Sequence, residues 1–245
     1  MARDSRPQIR VVMPEVRNAA TALALASVIL SILWKVIYST SGVSLYLIPM
    51  QVYSGALWQP VSWLPAGADT WGVLFSALIF WSVGGSLERR WGRTRFLRYS
   101  FAVTFFSGLL TLALAFALPD VLMRVPYMGG SVMSSLMWVT WGLVIWDEQT
   151  NFFGYPISGR TFAMIGILIP VMFSFFENAL PALVPTFIAI LLAFAIVRFG
   201  LAPSELWLRV QSARLQRDLK KRSSRLSVIS GGDRNMPKDS DKYLH

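Results

Sequence analysis

Residues 70–88 read TWGVLFSALIFWSVGGSLE, and residues 89–98 continue as RRWGRTRFLR. The first stretch holds no charged side chain before Glu88, and its length approaches the roughly 20 apolar residues that a helix needs to cross a bilayer. The second stretch carries five arginines in ten residues. An apolar block that ends in a group of arginines is typical of a transmembrane helix whose basic end lies in the cytoplasm. These two stretches therefore predict an integral membrane protein.

The composition of the whole chain agrees with this prediction. Of its 245 residues, 54% are hydrophobic and only 15% are charged, whereas a soluble domain carries about a quarter charged residues. The net charge of +10 suggests nucleic acid as one alternative partner. However, nearly all of the basic residues lie in residues 1–18, in residues 89–98 and after residue 200, between long apolar blocks. This distribution favours contact with a lipid bilayer over binding to nucleic acid.

The hydropathy pattern predicts six transmembrane helices in a polytopic all-α membrane protein. A long outer loop, residues 39–69, has no lysine or arginine and is rich in proline and aromatic residues, which favours a position at the membrane interface. An even number of spans places both termini on one side, and the basic residues of 1–18, 89–98 and the tail predict that this side is the cytoplasm. We expect a bacterial inner membrane. The predicted organisation is an N-terminal segment 1–18, a membrane domain 19–201 and a basic tail 202–245. The predicted spans are 19–38, 70–88, 97–118, 127–146, 160–176 and 181–200.

Several classes of chemistry are excluded by composition. The chain has no cysteine, and its only histidine is His245 at the end of the sequence. These counts exclude disulfides, thiolate metal sites and a serine–histidine pair within the membrane. No predicted span carries paired carboxylates, so transport is weakly supported. We predict neither a metal site nor a cofactor, and we read Glu88 as a helix cap or as a partner in an interfacial ion pair.

Polar and small residues inside the spans mark two helices. In the fourth predicted helix Ser131, Ser134 and Ser135 fall near one face, followed by Trp138. In the second predicted helix, small residues allow neighbouring backbones to approach closely. One interpretation is that both helices are buried packing elements, and the other is that their serines form a site. The small residues of the second helix are Gly72, Ser76, Gly84 and Gly85.

The basic tail also has two interpretations. It is a solvated helix that frays into a disordered end, or it lies on anionic lipid headgroups or on a partner protein. Each basic side chain near an anionic surface contributes about 1 kcal/mol. The candidate lipid- or partner-binding residues are Arg214, Arg217, Lys220, Lys221 and Arg222.

The stretch GGSLERRWGRTRFLRYSF, residues 84–101, resembles the end of the second helix and the following segment in the rhomboid superfamily. Upstream, LWQPVSWLP at residues 57–65 resembles the first loop of that family, with Gln59 in place of the usual arginine. The resemblance implies a six-helix rhomboid-like bundle over residues 20–200. It assigns structural motif positions to Trp58, Gly85, Glu88, Arg89, Trp91 and Gly92.

Rhomboids are intramembrane serine endopeptidases, and the resemblance also implies where a catalytic site would lie. The nucleophile motif at the start of the fourth helix corresponds to Gly129, Gly130 and Ser131, with Val132 replacing the second glycine of the family pattern. The family's oxyanion-stabilising histidine and asparagine correspond to Gly72 and Ser76. The histidine that serves as the base on the sixth helix has no counterpart here, and Lys35 is the one candidate amine. A serine without a proton acceptor is a poor nucleophile, so the resemblance favours an inactive pseudoprotease.

Three functional hypotheses follow. The first is a non-catalytic rhomboid-like protein that binds transmembrane segments of other membrane proteins. The second is a rhomboid-family intramembrane serine endopeptidase with a non-standard site at Ser131. The third is a structural subunit of a larger membrane complex, for which ten tryptophans and sixteen phenylalanines offer contact surface. Because the membrane domain holds no histidine, the sequence favours a role without catalysis.

Overall fold

The computed structural model describes residues 18–64, 67, 70–152 and 155–199, which belong to the compact unit Met1–Gly200. The fold is helical apart from one short hairpin. A π-helical turn, Phe80–Gly84, joins α4 and α5 into one continuous helix. The α-helices are α1 (Ala19–Ser41), α2 (Pro49–Tyr53), α3 (Gln59–Ser62), α4 (Thr70–Ile79), α5 (Gly85–Trp91), α6 (Arg93–Ala117), α7 (Pro119–Leu122), α8 (Gly129–Val144), α9 (Gly159–Phe176) and α10 (Val184–Phe199).

Five helices in the described part of the chain are long and apolar enough to cross a membrane. The protein is thus a multi-pass integral membrane protein of the all-α class, as predicted. The 3₁₀ turn Leu180–Leu183 precedes α10 and belongs to the fifth of these helices. The five are Ala19–Thr40, Trp71–Trp91, Arg93–Ala117, Gly159–Phe176 and Leu180–Phe199.

Helix α8, the fourth predicted span, is shorter than expected and is the centre of the bundle. It has 16 residues instead of the predicted 127–146, and at 1.5 Å per residue it rises about 24 Å. It packs against α4, α6, α9 and α10. Most of its side chains are buried, including Met133, Leu136 and Met137 at 0% exposure. A helix that is surrounded by other helices is apolar on nearly every side. Its composition is therefore similar to that of a membrane span.

The arginine-rich residues between the second and third predicted spans, where the sequence predicts a loop, are almost entirely helical. Arg89 and Arg90 lie in the last turn of α5, and Arg93 begins α6, so Gly92 alone separates the two helices. Gly92 has φ 81° and ψ 156°, a region of backbone space that is essentially restricted to glycine. Arginine is a good helix former, and the sharp corner at Gly92 lets both helices keep their arginines at one end of the bundle. We call this the arginine end.

A two-stranded hairpin lies between the fourth and fifth predicted spans. Strand β1 (Gln149–Phe152) pairs in an antiparallel register with β2 (Tyr155–Ser158), with Gln149 opposite Ser158. Two exposed ion pairs flank the hairpin. Arg90 approaches Glu148 at 3.2 Å, and Arg160 pairs with Asp147.

The first outer loop packs into the bundle at Leu47 and Trp63, whereas its side chains Leu57 and Val61 are exposed. A position partly in the bilayer surface stays a prediction for this loop. Leu47 pairs with Tyr127 through two backbone hydrogen bonds of 3.1 and 2.9 Å. Leu47 and Trp63 are fully buried and belong to one of two apolar clusters, together with residues of α6, α8 and α10. Burial also raises the pKa of Tyr127 to about 12, so its hydroxyl stays protonated. The other cluster joins α1, α4, α5, α8 and α9, and α8 contributes to both.

Candidate functional site

Ser131 lies in the first turn of α8, at a place fixed by the outer loop. The backbone N–H of Gly129 donates to the carbonyl oxygen of Trp63 at 3.1 Å. A Cβ atom at Gly129 would lie 2.4 Å from that oxygen and 2.6 Å from the carbonyl oxygen of Leu64. Only glycine permits this approach, so the glycine of the Gly129–Gly130–Ser131 motif seats the helix against the loop.

The Ser131 hydroxyl is exposed and bonds to its own helix. Its Oγ donates to the carbonyl oxygen of Met128 at 2.9 Å. No other hydrogen bond joins it to the residues that the structure describes. Lys35, the candidate amine, is exposed on α1 and makes neither a hydrogen bond nor an ion pair within the same residues. The Ser131 proton therefore points to a backbone carbonyl, and among the described residues no general base contacts the hydroxyl.

The three serines of α8 lie near one helix face, as predicted from their spacing, but they differ in burial. Ser131 is exposed, Ser134 is buried and Ser135 lies between these two states. Ser134 Oγ donates to the carbonyl oxygen of Ser131 at 2.9 Å, and Ser76 Oγ donates to Ser134 Oγ at 3.2 Å. Ser76 is thus linked to Ser131 only through Ser134. The sequence offered Ser76 as an oxyanion-equivalent donor, and in the structure its hydroxyl instead holds α4 to α8. Gly72 lies one helical turn before Ser76 and is partly buried.

An aromatic row crosses the bundle two helical turns beyond Ser131. Trp138 of α8 stacks on Phe75 of α4, with ring centroids 5.6 Å apart, and lies 5.3 Å from the ring of Phe162 of α9. The Trp138 indole Nε1 donates to the carbonyl oxygen of Phe162 at 2.9 Å. Gly166 approaches Trp138 so closely that a Cβ would lie 2.7 Å from the indole. These aromatic contacts pack α4, α8 and α9 together between the serines and the arginine end.

Glu88 caps the first helix from across the bundle. Its Oε1 accepts from the Ala19 N–H at 2.9 Å, and its Oε2 accepts from the Ala20 N–H at 2.8 Å. The N-cap residue Asn18 makes no side-chain capping bond, so the carboxylate satisfies two donors that a helix start leaves free. Its charge also faces the positive end of the helix dipole. The cap function expected for Glu88 is therefore present, with α1 as the capped helix.

Replacing Glu88 with alanine is expected to destabilise the protein by about 2 kcal/mol, because two N–H donors lose a charged acceptor. Glu88→Gln keeps an oxygen acceptor and should lose about half of that. Thermal unfolding of the purified protein in detergent measures the change. Glu148→Gln is the matched control, since it breaks an exposed pair with Arg90, and it should change stability by less than about 0.5 kcal/mol. Equal losses in Glu88→Ala and Glu148→Gln would contradict the cap.

The remaining motif residues have structural contacts. Trp58 Nε1 donates to the Ser44 carbonyl oxygen at 3.2 Å within the outer loop. Arg89 donates to Ser86 Oγ at 2.9 Å. Trp91 packs edge-on against Tyr99, with centroids 5.0 Å apart, and Arg95 lies 5.5 Å above the Trp91 ring. Gly85 is buried and makes no close backbone approach, whereas its neighbour Gly84 would bring a Cβ to 3.4 Å from the Cβ of Ala20.

Gln59, which stands where the rhomboid first loop has arginine, organises a polar cluster in the outer loop. The side chain is fully buried. Its Oε1 accepts from the Ile48 N–H at 2.9 Å, and its Nε2 donates to the Ser44 carbonyl oxygen at 3.4 Å and to Gln51 Oε1. Ser62 Oγ also donates to the Leu45 carbonyl oxygen at 3.1 Å. These bonds tie residues 44–48 to the segment that carries Trp63, and hence to Gly129.

The candidate tail residues Arg214, Arg217, Lys220, Lys221 and Arg222 lie outside the described residues. Within the described part of the chain, no group of three histidine, cysteine, aspartate or glutamate side chains is placed to hold a metal ion. Comparison with known protein families finds no family model that matches the chain. A comparison with curated proteins also finds no match.

Sequence reasoning missed three features of this site. The Ser76–Ser134 bond joins two helices that are 58 residues apart, and serine spacing within one helix does not reveal it. The π-helical turn Phe80–Gly84 has no signature in the hydropathy pattern, and it ends at the first glycine of the Gly84–Gly85 pair. The Gln59 cluster did have a signal, namely a glutamine in a stretch otherwise dominated by apolar and aromatic residues.

Proposed function

We propose that this chain is a non-catalytic, rhomboid-like membrane protein of six spans, with both termini in the cytoplasm, that binds transmembrane segments of other membrane proteins. The observation that carries the proposal is the state of Ser131. The residue is exposed at the start of the central helix, yet its hydroxyl bonds to Met128 and contacts no base in the part of the chain that the structure describes. Such a site presents a surface to a membrane segment without activating a nucleophile.

The helices beside Ser131 supply a surface for such a segment. Helices α4 and α9 each pack along α8 more extensively than they pack against each other. Both carry exposed apolar side chains, among them Leu74 at 53% on α4 and Met164 at 68% on α9. Helix association in a bilayer depends on close packing and on interhelical hydrogen bonds, because lipid is as apolar as leucine.

Site-specific photo-crosslinking in reconstituted vesicles tests the proposal. A photoreactive phenylalanine analogue at position 74 is expected to crosslink an intact single-span membrane protein. The same analogue at position 114 is the matched control, since Leu114 is 42% exposed on α6 and lies on a different helix. Ser131→Ala should leave the crosslink unchanged, because the hydroxyl bonds within its own helix. Equal crosslinking at both positions would show general contact through lipid and would contradict a specific surface.

The endopeptidase alternative has a separate readout in the same vesicles. If the wild-type protein cleaves the single-span protein and Ser131→Ala abolishes that cleavage, the non-catalytic proposal is wrong. Labelling by a fluorophosphonate probe at Ser131 would point the same way. The third hypothesis, a subunit of a larger complex, predicts that purification in mild detergent yields a stable assembly instead of a lone particle.

A further inference from the structure

At the end of the bundle opposite the arginine end, two short helices enclose a groove that the proposed function does not use. The groove has a volume of about 610 Å³ and lies between α2 and α7. The Met50 N–H donates to the carbonyl oxygen of Met123 at 2.9 Å, which holds the two walls together. The residues that define its chemistry are Met50, Tyr53, Asp120, Met123 and Arg124.

Arg124 is unusual for its position. It is the only lysine or arginine between Arg98 and Arg160, and the outer loop 39–69 contains neither residue type. Its side chain is exposed and makes no hydrogen bond, ion pair or ring contact with the residues that the structure describes. A guanidinium without a partner among the described residues suits recognition of an anion.

Asp120 supplies the opposite charge and also lacks a partner. It lies four residues before Arg124, a spacing at which a helical aspartate and arginine commonly pair. The structure gives the two side chains no mutual ion pair, and Asp120 is exposed and without a hydrogen bond among the described residues. The groove therefore offers a cation and an anion in one lining, neither with a partner among the described residues, and together they complement a zwitterion.

Beside its polar side chains the groove has an apolar wall, which continues onto the exposed side of α6. The Tyr53 hydroxyl donates to the Leu112 carbonyl oxygen at 2.6 Å, so the phenol is held by α6 and its ring forms a wall. That ring packs edge-on against Phe116 at 6.3 Å. Phe116 is 76% exposed, and it extends the apolar surface from the groove along α6. A ligand that combines a zwitterionic head with a hydrocarbon chain matches this arrangement.

We infer that this groove binds the headgroup of a zwitterionic phospholipid with a primary ammonium, phosphatidylethanolamine, with its phosphate on Arg124 and its ammonium on Asp120. An acyl chain then follows Tyr53 and Phe116 along α6. The ammonium donates hydrogen bonds to the Asp120 carboxylate, whereas the quaternary ammonium of phosphatidylcholine has no N–H to donate. Phosphatidylglycerol has the phosphate but no cation for Asp120. The inference is independent of the client-binding proposal, which concerns α4, α8 and α9.

Native mass spectrometry of the full chain in detergent, titrated with phosphatidylethanolamine, phosphatidylcholine or phosphatidylglycerol of identical acyl chains, tests the inference. The wild-type protein is expected to bind phosphatidylethanolamine about fivefold more tightly than the other two lipids, because one more charge-assisted hydrogen bond forms. Asp120→Asn should abolish this preference. Arg124→Gln should weaken binding of all three lipids about tenfold, since each contains the phosphate.

The double variant Asp147→Asn, Arg160→Gln is the matched control, because it removes an exposed aspartate–arginine pair next to the hairpin and should leave the lipid preference unchanged. Circular dichroism confirms that each variant is folded. Binding by Asp120→Asn and Arg124→Gln that equals the wild type in affinity and preference would overturn the inference, as would tighter binding of phosphatidylglycerol. Free phosphoethanolamine should fail to displace the lipid, and full displacement at equal concentration would assign the groove to a soluble ligand instead.

Discussion

Gly129→Ala is expected to destabilise the protein by about 3 kcal/mol, the upper part of the range for overpacking a tightly packed interior. The new methyl group would lie 2.4 Å from the Trp63 carbonyl oxygen and 2.7 Å from the Leu64 Cα. Both are backbone atoms, so no side-chain rotation relieves the contact. The substitution also strains the hydrogen bond from Gly129 to Trp63. Thermal unfolding in detergent measures the loss.

Gly85→Ala provides a matched control for this prediction. Gly85 is also a buried helical glycine of the motif, but its added Cβ would meet only the end of the Arg89 side chain, at 3.7 Å. Alanine favours the helix over glycine by about 1 kcal/mol, so this variant should be neutral or more stable than the wild type. Equal destabilisation of the two variants would mean that the contact with the loop is not what requires glycine at position 129.

The second large effect is expected at Gln59. Gln59→Leu keeps a similar volume but removes the acceptor of the Ile48 N–H and the donor to Gln51 Oε1. The Ser44 carbonyl oxygen also loses a donor and keeps only the bond from Trp58. An unsatisfied buried polar group costs about 1–3 kcal/mol, so we expect a loss of about 3 kcal/mol for the cluster. The outer loop should also become open to chymotrypsin at its aromatic residues, which locates the damage.

Gln149→Leu is the control for this change, because Gln149 is exposed in β1. An exposed substitution of this kind should stay within about 0.5 kcal/mol of the wild type. If Gln59→Leu unfolds with the same midpoint as Gln149→Leu and its loop resists chymotrypsin, the buried cluster is not what holds residues 44–48 in place.

The sequence predicted a membrane-spanning fold because the length of each apolar block can be counted directly along the chain. The block before Glu88 is a span in the structure, and the other long apolar blocks also became helices. A group of arginines, by contrast, indicates that a segment lies at a membrane surface, but it does not indicate whether that segment is a helix or a loop. Arginines 89–98 were read as a loop because they mark a membrane surface, yet Gly92 alone interrupts the helices there.

Interior packing was the part that the sequence did not reveal. The apolar pattern of residues 127–146 fits a lipid-exposed span and a buried central helix equally well, and only its neighbours distinguish the two. The candidate site was predictable only in part. Residue type alone showed that Ser131 lacks a histidine partner, whereas the Ser76–Ser134 bond and the loop contact at Gly129 depend on pairs of residues far apart in the chain.

The π-helical turn Phe80–Gly84 gives the second membrane helix two separately phased halves. A π turn accommodates one more residue than an α turn, so it rotates everything after it by about 100° relative to a continuous α-helix. Ser76 reaches α8 from the first half, while Glu88 reaches the start of α1 from the second. The two contacts therefore depend on the number of residues between Ser76 and Glu88. Deleting one residue within 80–84 would convert the turn to a regular helix and force a choice between the serine bond and the cap of α1.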